Sequence, residues 1–169
     1  MNYGDYYREL SLAAMRACSS GIQATVGGNL SMRVPGEKVI IAKSKGGSFA
    51  DCAEDGTGFV LTDMQGKSLV EGDHPTKEIF LHSFIYSITD NKAIVHCHSP
   101  WSVAWSLQNN ILPAVTFQSQ LKLKQDIPIV PVASPVVTEK YAGMIKQVFI
   151  DNPDIPAFIL QGHGIVAMG

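Results

Sequence analysis

Apolar positions along the chain switch repeatedly between helical and strand spacing. From Asp5 to Ser19, residues Tyr6, Leu10, Ala13, Ala14 and Ala17 recur at a helical period, and Gly21 offers a left-handed stop. Asn29 to Val34 alternates as a strand does, with Pro35-Gly36 as the turn and Lys38 to Ala42 as its partner. Gly58 to Thr62 and Lys67 to Glu71 form a second expected hairpin around Met64-Gln65-Gly66. A helix is expected to begin at Pro75 and to continue through Ile79, Leu81, Phe84, Ile85 and Ile88. Ala93 to His98 reads as a strand and Trp101 to Leu107 as a helix. Ile111 to Phe117 and Ile127 to Val132 are apolar and rich in β-formers, Glu139 to Ile150 is helical, and Ala157 to Gln161 and Ile165 to Met168 are strands. Helices and strands alternate while hairpins recur. The expected fold is therefore a single α/β domain over residues 1–169, three-layered α/β/α, around a mixed, mostly antiparallel central sheet.

Length and composition support one core. A chain of 169 residues can bury about 69% of its unfolded surface without disulfide or metal staples. Apolar residues make up 46% and charged residues 17%, which excludes a disordered chain. The net charge of −2 gives no basic footprint for nucleic acid, and no apolar run is long enough to span a membrane. Met1 to Leu10 is polar and aromatic, without the pattern of a signal peptide. Three cysteines, Cys18, Cys52 and Cys97, stand far apart and form no CxxC, so a reducing, cytoplasmic compartment is expected.

The chemistry concentrates in histidines. His96 and His98 are two apart near the end of an apolar strand, so both imidazoles leave one face and Cys97 leaves the other. Such a pair is a bidentate platform for a divalent metal; the plain alternative is two polar histidines on an exposed strand. His163 lies between Gly162 and Gly164, where backbone can pass close to a site; alone, it reads as a turn histidine. Three histidines would leave an open metal position, the catalytic pattern. Glu78 and His82 are four apart and share a helix face, which by itself reads as an exposed pair.

Four stretches in order, Gly28-Asn29-Leu30-Ser31-Met32-Arg33, Pro75-Thr76-Lys77-Glu78-Ile79-Phe80-Leu81-His82, His96-Cys97-His98-Ser99-Pro100 and Gly162-His163-Gly164, resemble the class II aldolase/adducin family of sugar-phosphate enzymes. The resemblance spans nearly the whole chain. It implies a catalytic divalent metal, usually zinc, on His96, His98 and His163, with Glu78 as acid/base. It implies a phosphate pocket from Asn29, Ser44, Thr76 and Lys77. Backbone N–H groups at the start of the Pro75 helix would suit that anion, with Lys43, Lys45 and Lys77 adding charge. The implied activity is carbon–carbon cleavage of a phosphorylated sugar through a metal-stabilised enediolate, with aldol cleavage first and decarboxylation of a 3-oxo sugar-acid phosphate close behind. Dehydration, a 4-epimerase, whose branch resembles Ser-Asp where Glu78 stands here, and a non-catalytic, adducin-like interaction module are the further readings.

Departures from the family pattern shape these expectations. The fuculose-phosphate aldolase branch carries a proton-donating tyrosine that acts across a subunit boundary, shortly after the Leu-Pro that here is Leu112-Pro113; this chain has Phe117 there. Its Ser-Ser-Glu is here Thr76-Lys77-Glu78, as in 3-oxo-tetronate-4-phosphate decarboxylases, and its Thr-Gly is here Ser44-Lys45. The family usually continues past the position of Gly169 into a further helix. Family symmetry implies a homotetramer, and the apolar stretch Ile111, Leu112, Val115 and Phe117 supplies a physical reason for one.

Overall fold

A computed structural model describes residues 3–23 and 26–169. Met1 and Asn2, at the start of the polar N-terminal segment, lie outside the described residues. Eight strands form one sheet in the order β3-β2-β1-β4-β8-β7-β6-β5. They are β1 (Asn29–Arg33), β2 (Ile40–Lys43), β3 (Phe59–Thr62), β4 (Ala93–Cys97), β5 (Ile111–Leu112), β6 (Ile127–Val130), β7 (Ala157–Leu160) and β8 (Gly164–Met168). Every neighbouring pair is antiparallel except β6 and β7. The mixed, mostly antiparallel sheet is the expected one.

Strand alternation divides the core in two. Ile40, Ala42 and Ile94 face one side and pack with Leu81 and Ile85 of helix α2 (Ile79–Ile88) and Ile145 of helix α5 (Ala142–Asp151). Ile41, Leu30 and Cys97 face the other side and pack with Leu10 and Ala14 of helix α1 (Gly4–Ser19) and with Phe49. Each fully buried leucine or isoleucine in these layers contributes roughly 1.5–3 kcal/mol of transfer free energy. Helix α3 (Pro100–Ser106) starts on its proline and lies against β7 and β8.

Several expected boundaries move, for tertiary reasons. Pro75 does not start α2. It bridges Ser44, while Thr76 N–H donates to the Lys43 carbonyl at 2.9 Å, so residues 74–76 extend the edge of β2 and the helix begins at Ile79. Lys67 to Glu71 makes one bridge, Ser68 to Thr62, with backbone bonds from the Leu69 N–H to the Leu61 carbonyl and from the Asp63 N–H to the Lys67 carbonyl, and is not a full strand. The stretch Ile111 to Phe117 is a strand only over Ile111–Leu112; Thr116 then caps helix α4 (Phe117–Leu123) through Ser119 N–H. Glu139–Tyr141 is a 3-10 turn leading into α5.

Candidate functional site

Strand pairing builds the histidine cluster. β4 pairs with β8 and β1, placing His96 opposite Val166 and Asn29. His96 is fully buried, and its Nδ1–H donates to the Ile165 carbonyl at 3.1 Å. That bond leaves the Nε2 lone pair aimed into the cluster. His98 follows the last residue of the strand, and its backbone N–H donates to the buried Gln23 Oε1 at 2.7 Å. His163 sits in the tight turn between β7 and β8, held by its N–H to the Leu160 carbonyl at 3.0 Å. A methyl group on Gly164 would collide with the Cys97 carbonyl and stand 3.0 Å from His96 Cε1, so only glycine lets this turn approach the end of β4 so closely.

Glu78 completes the group. It immediately precedes α2 and is buried, so the exposed Glu78–His82 pair expected from spacing is instead two interior residues. Its Oε2 lies 3.3 Å from His96 Nε2, and its Oε1 lies 3.8 Å from His163 Nε2. The Nε2 atoms of His96 and His98 are 3.1 Å apart. One donor atom from each of the four residues falls within 4.8 Å of all the others.

Donors bound to a tetrahedral zinc at ~2.1 Å stand about 3.4 Å from each other. The separations of 3.1, 3.3 and 3.8 Å therefore fit a divalent cation bound among these side chains. Electrostatics agree. Burial, then the neighbouring His163 and His98, holds His96 well below the usual imidazole range. Burial, then His163, lowers His98 as well. Both are thus kept neutral, the form a metal requires. Among the described residues, His163 Nδ1 is a buried nitrogen without a hydrogen-bond partner.

A cavity of about 380 Å³ opens beside the cluster. Asn29, Ser44, Thr76, Lys77, Glu78, His98 and His163 all line it, and His96 lies buried beside them. The structure thus brings together all eight residues singled out from the sequence. The anion expectation changes in one respect. Thr76 and Lys77 precede α2, so the polar wall is made by the end of β2 with residues 44–46 and by residues 75–77 pinned to it, and not by a helix start at Pro75. Lys43 also lines this wall at only 2% exposure, and its burial lowers its pKa against the opposing pull of Cys52 and Asp51. A second cavity of about 640 Å³ shares His98, His163 and Pro135 with the first and is walled by Leu107, Val132 and Gln161.

Two contacts of Glu78 were not foreseen from the sequence. Asn29 Nδ2 donates to Glu78 Oε2 at 3.0 Å, and the Val137 N–H donates to Glu78 Oε1 at 3.4 Å. Val137 lies 59 residues along the chain from Glu78, and no local pattern marks it. Gln23, which holds the His98 backbone, carries no signal beyond its nearness to Gly27-Gly28.

Residues 8–169 match the family described as Class II Aldolase and Adducin N-terminal domain. The chain belongs to this family. It is 28% identical over 167 residues to a 3-oxo-tetronate 4-phosphate decarboxylase of Escherichia coli (strain K12), covering 95% of this chain and 74% of the relative. It is 31% identical over 172 residues to a methylthioribulose-1-phosphate dehydratase of Gluconacetobacter diazotrophicus, covering 96% and 81%. Among solved structures, an L-fuculose-1-phosphate aldolase from Thermus thermophilus superposes with a TM-score of 0.81 at 23% identity, covering 96% of this chain and 78% of that one. YgbL of Klebsiella pneumoniae gives 0.81 at 26%, covering 100% and 80%. The class II aldolase fold is therefore the fold of this protein.

Proposed function

We propose that this protein is a metal-dependent carbon–carbon lyase acting on a phosphorylated sugar acid. The observation that carries the reading is the cluster of Glu78 with three imidazoles, beside a cavity that Lys43, Lys45 and Lys77 also line. His96, His98 and His163 would hold the metal, and zinc suits three neutral nitrogens with an open fourth position. A bound divalent metal polarises the substrate carbonyl and offsets the charge that builds on its oxygen. Lys77, Thr76, Ser44 and Asn29 hold the phosphate and set the reacting carbons against Glu78. When the bond to the departing carbon breaks, its electron pair stays on the carbon next to the carbonyl. Glu78 relays a proton from water to that carbon.

Decarboxylation of a 3-oxo sugar-acid phosphate is favoured over aldol cleavage. Carbon dioxide leaves without needing a proton, whereas aldol cleavage needs a group to manage the departing aldehyde's hydroxyl. Phe117 has no hydroxyl, and Thr76-Lys77-Glu78 follows the decarboxylase pattern. Several relatives bear the decarboxylase name. The intact donor set argues against a purely structural, adducin-like role. Three free cysteines agree with a cytoplasmic setting.

A homotetramer is part of this proposal. The chain exposes 9277 Å², against about 8,000 Å² for a compact monomer of its mass. Phe117 is 93% exposed, and Trp101, Val115 and Leu121 are also largely in solvent, an apolar surface that a subunit contact would cover. The test is turnover by zinc-loaded protein of a 3-oxo-tetronate 4-phosphate, followed by carbon dioxide release. Release that depends on zinc supports the reading. Aldehyde formation from a sugar phosphate, or water loss without carbon dioxide, would replace it with the aldolase or dehydratase reading.

A further inference from the structure

A chain of buried side chains runs from α2 through β1 to Glu78. Tyr86 Oη lies 2.8 Å from Ser31 Oγ and donates to the Ser31 carbonyl at 3.0 Å. Ser31 Oγ lies 2.6 Å from His82 Nδ1, His82 Nε2 bonds Asn29 Oδ1, and Asn29 Nδ2 reaches Glu78 Oε2. All five residues are buried, and His82 is fully so.

The far end fixes the direction of the protons. Asn29 presents its NH₂ to Glu78 and therefore its oxygen to His82. His82 must then carry its proton on Nε2. Its burial pushes its pKa down to about 3, so the ring is neutral and Nδ1 is an acceptor. Ser31 is the donor to that atom, and the Tyr86 hydroxyl proton goes to the Ser31 carbonyl. A ring reversed to the Nδ1–H form would face Asn29 with a lone pair, turning the amide and setting oxygen against oxygen at Glu78.

We propose that His82 is a positioning residue: acting through Asn29, it holds Glu78 Oε2 in the orientation that faces His96 and the cavity. Its effect on turnover rests on the lyase reading above, but the hydrogen-bonded chain does not. Two measurements test it. In protein labelled with ¹⁵N-histidine, the His82 resonances should show the neutral Nε2–H form; the Nδ1–H form or a cation would overturn the proposal. Turnover by the zinc-saturated protein should then separate His82→Gln from His82→Met. These side chains have similar length, but only glutamine can donate to Asn29 Oδ1. Loss of such an orienting partner typically costs 10–100-fold in metal affinity or activity. The methionine variant should lose about that much, and the glutamine variant only a few-fold. Equal losses would reduce His82 to packing and refute the proposal. If the methionine variant does not fold, Ser31→Ala takes its place, with a shift of the His82 resonances away from the pure Nε2–H form expected and no shift contradicting it. A wild-type protein that binds no zinc would sink the lyase reading, while the ¹⁵N tautomer still decides the positioning role.

Discussion

Replacing Glu78 with glutamine separates chemistry from scaffolding. The carboxylate accepts at both oxygens, from Asn29 Nδ2 at 3.0 Å and from the Val137 N–H at 3.4 Å. A glutamine amide has one oxygen, so its NH₂ must face one of these donors. The longer bond is the weaker, and the amide should keep Asn29 and oppose Val137. Leaving one buried donor unsatisfied costs about 1–3 kcal/mol. For a domain of this size that lowers Tm by about 2–12 °C. Loss of the acid/base should cut turnover about 10²–10⁴-fold, equivalent to about 2.7–5.4 kcal/mol of barrier. Three imidazoles remain, so zinc should stay bound when supplied in excess. The assay combines carbon dioxide release, zinc content and thermal unfolding on the same preparation. Turnover within a few-fold of wild type, with zinc bound, would refute the role given to Glu78. A collapse of turnover caused by lost zinc would make Glu78 a metal ligand before all else.

The other predictions follow from single contacts. His98→Ala removes one of three imidazoles and should leave purified protein without near-stoichiometric metal, read by elemental analysis. Lys77→Met should raise KM for a phosphorylated substrate while changing kcat little; an unphosphorylated analogue that reacts as well would contradict the anion wall. The metal-free protein should lose stability on acidification. His82 stays neutral when folded until about pH 3, whereas an unfolded histidine takes up a proton near pH 6.5, so stability is lost as pH falls below 6.5. The share of His82 in that loss should reach about 2 kcal/mol near pH 5, on top of that of His96 and His98, and His82→Gln should remove the His82 share in urea titrations at about pH 6.5 and pH 5. If the proposed tetramer forms through this surface, Phe117→Asp should lower the mass seen by light scattering, and an unchanged mass would place the contact elsewhere.

Much of the site was legible because it is built from local spacing. His96 and His98 share a face by strand geometry alone, and the glycines around His163 announce a close turn. Alternation in β1, β2 and β4 gave the sheet and its two apolar faces. What stayed hidden depends on contacts between distant segments. Pro75 looked like a helix start because nothing nearby reveals that residues 74–76 pair with the end of β2. Thr116 caps α4 with Ser119 in place of the usual glutamate or glutamine, so that helix resembled a continuing strand. Glu78 and His82 looked like a solvent pair because an i,i+4 spacing does not say which face of the helix is buried. Their partners Asn29, Ser31 and Val137 come from other elements of the fold.

The most direct test is where a zinc ion goes. Crystals of the wild-type protein exposed to zinc, measured at the zinc absorption edge, should show one strong anomalous peak within bonding distance of His96, His98 and His163, with Glu78 beside it. A peak elsewhere, or none at this cluster under saturating zinc, would contradict the account.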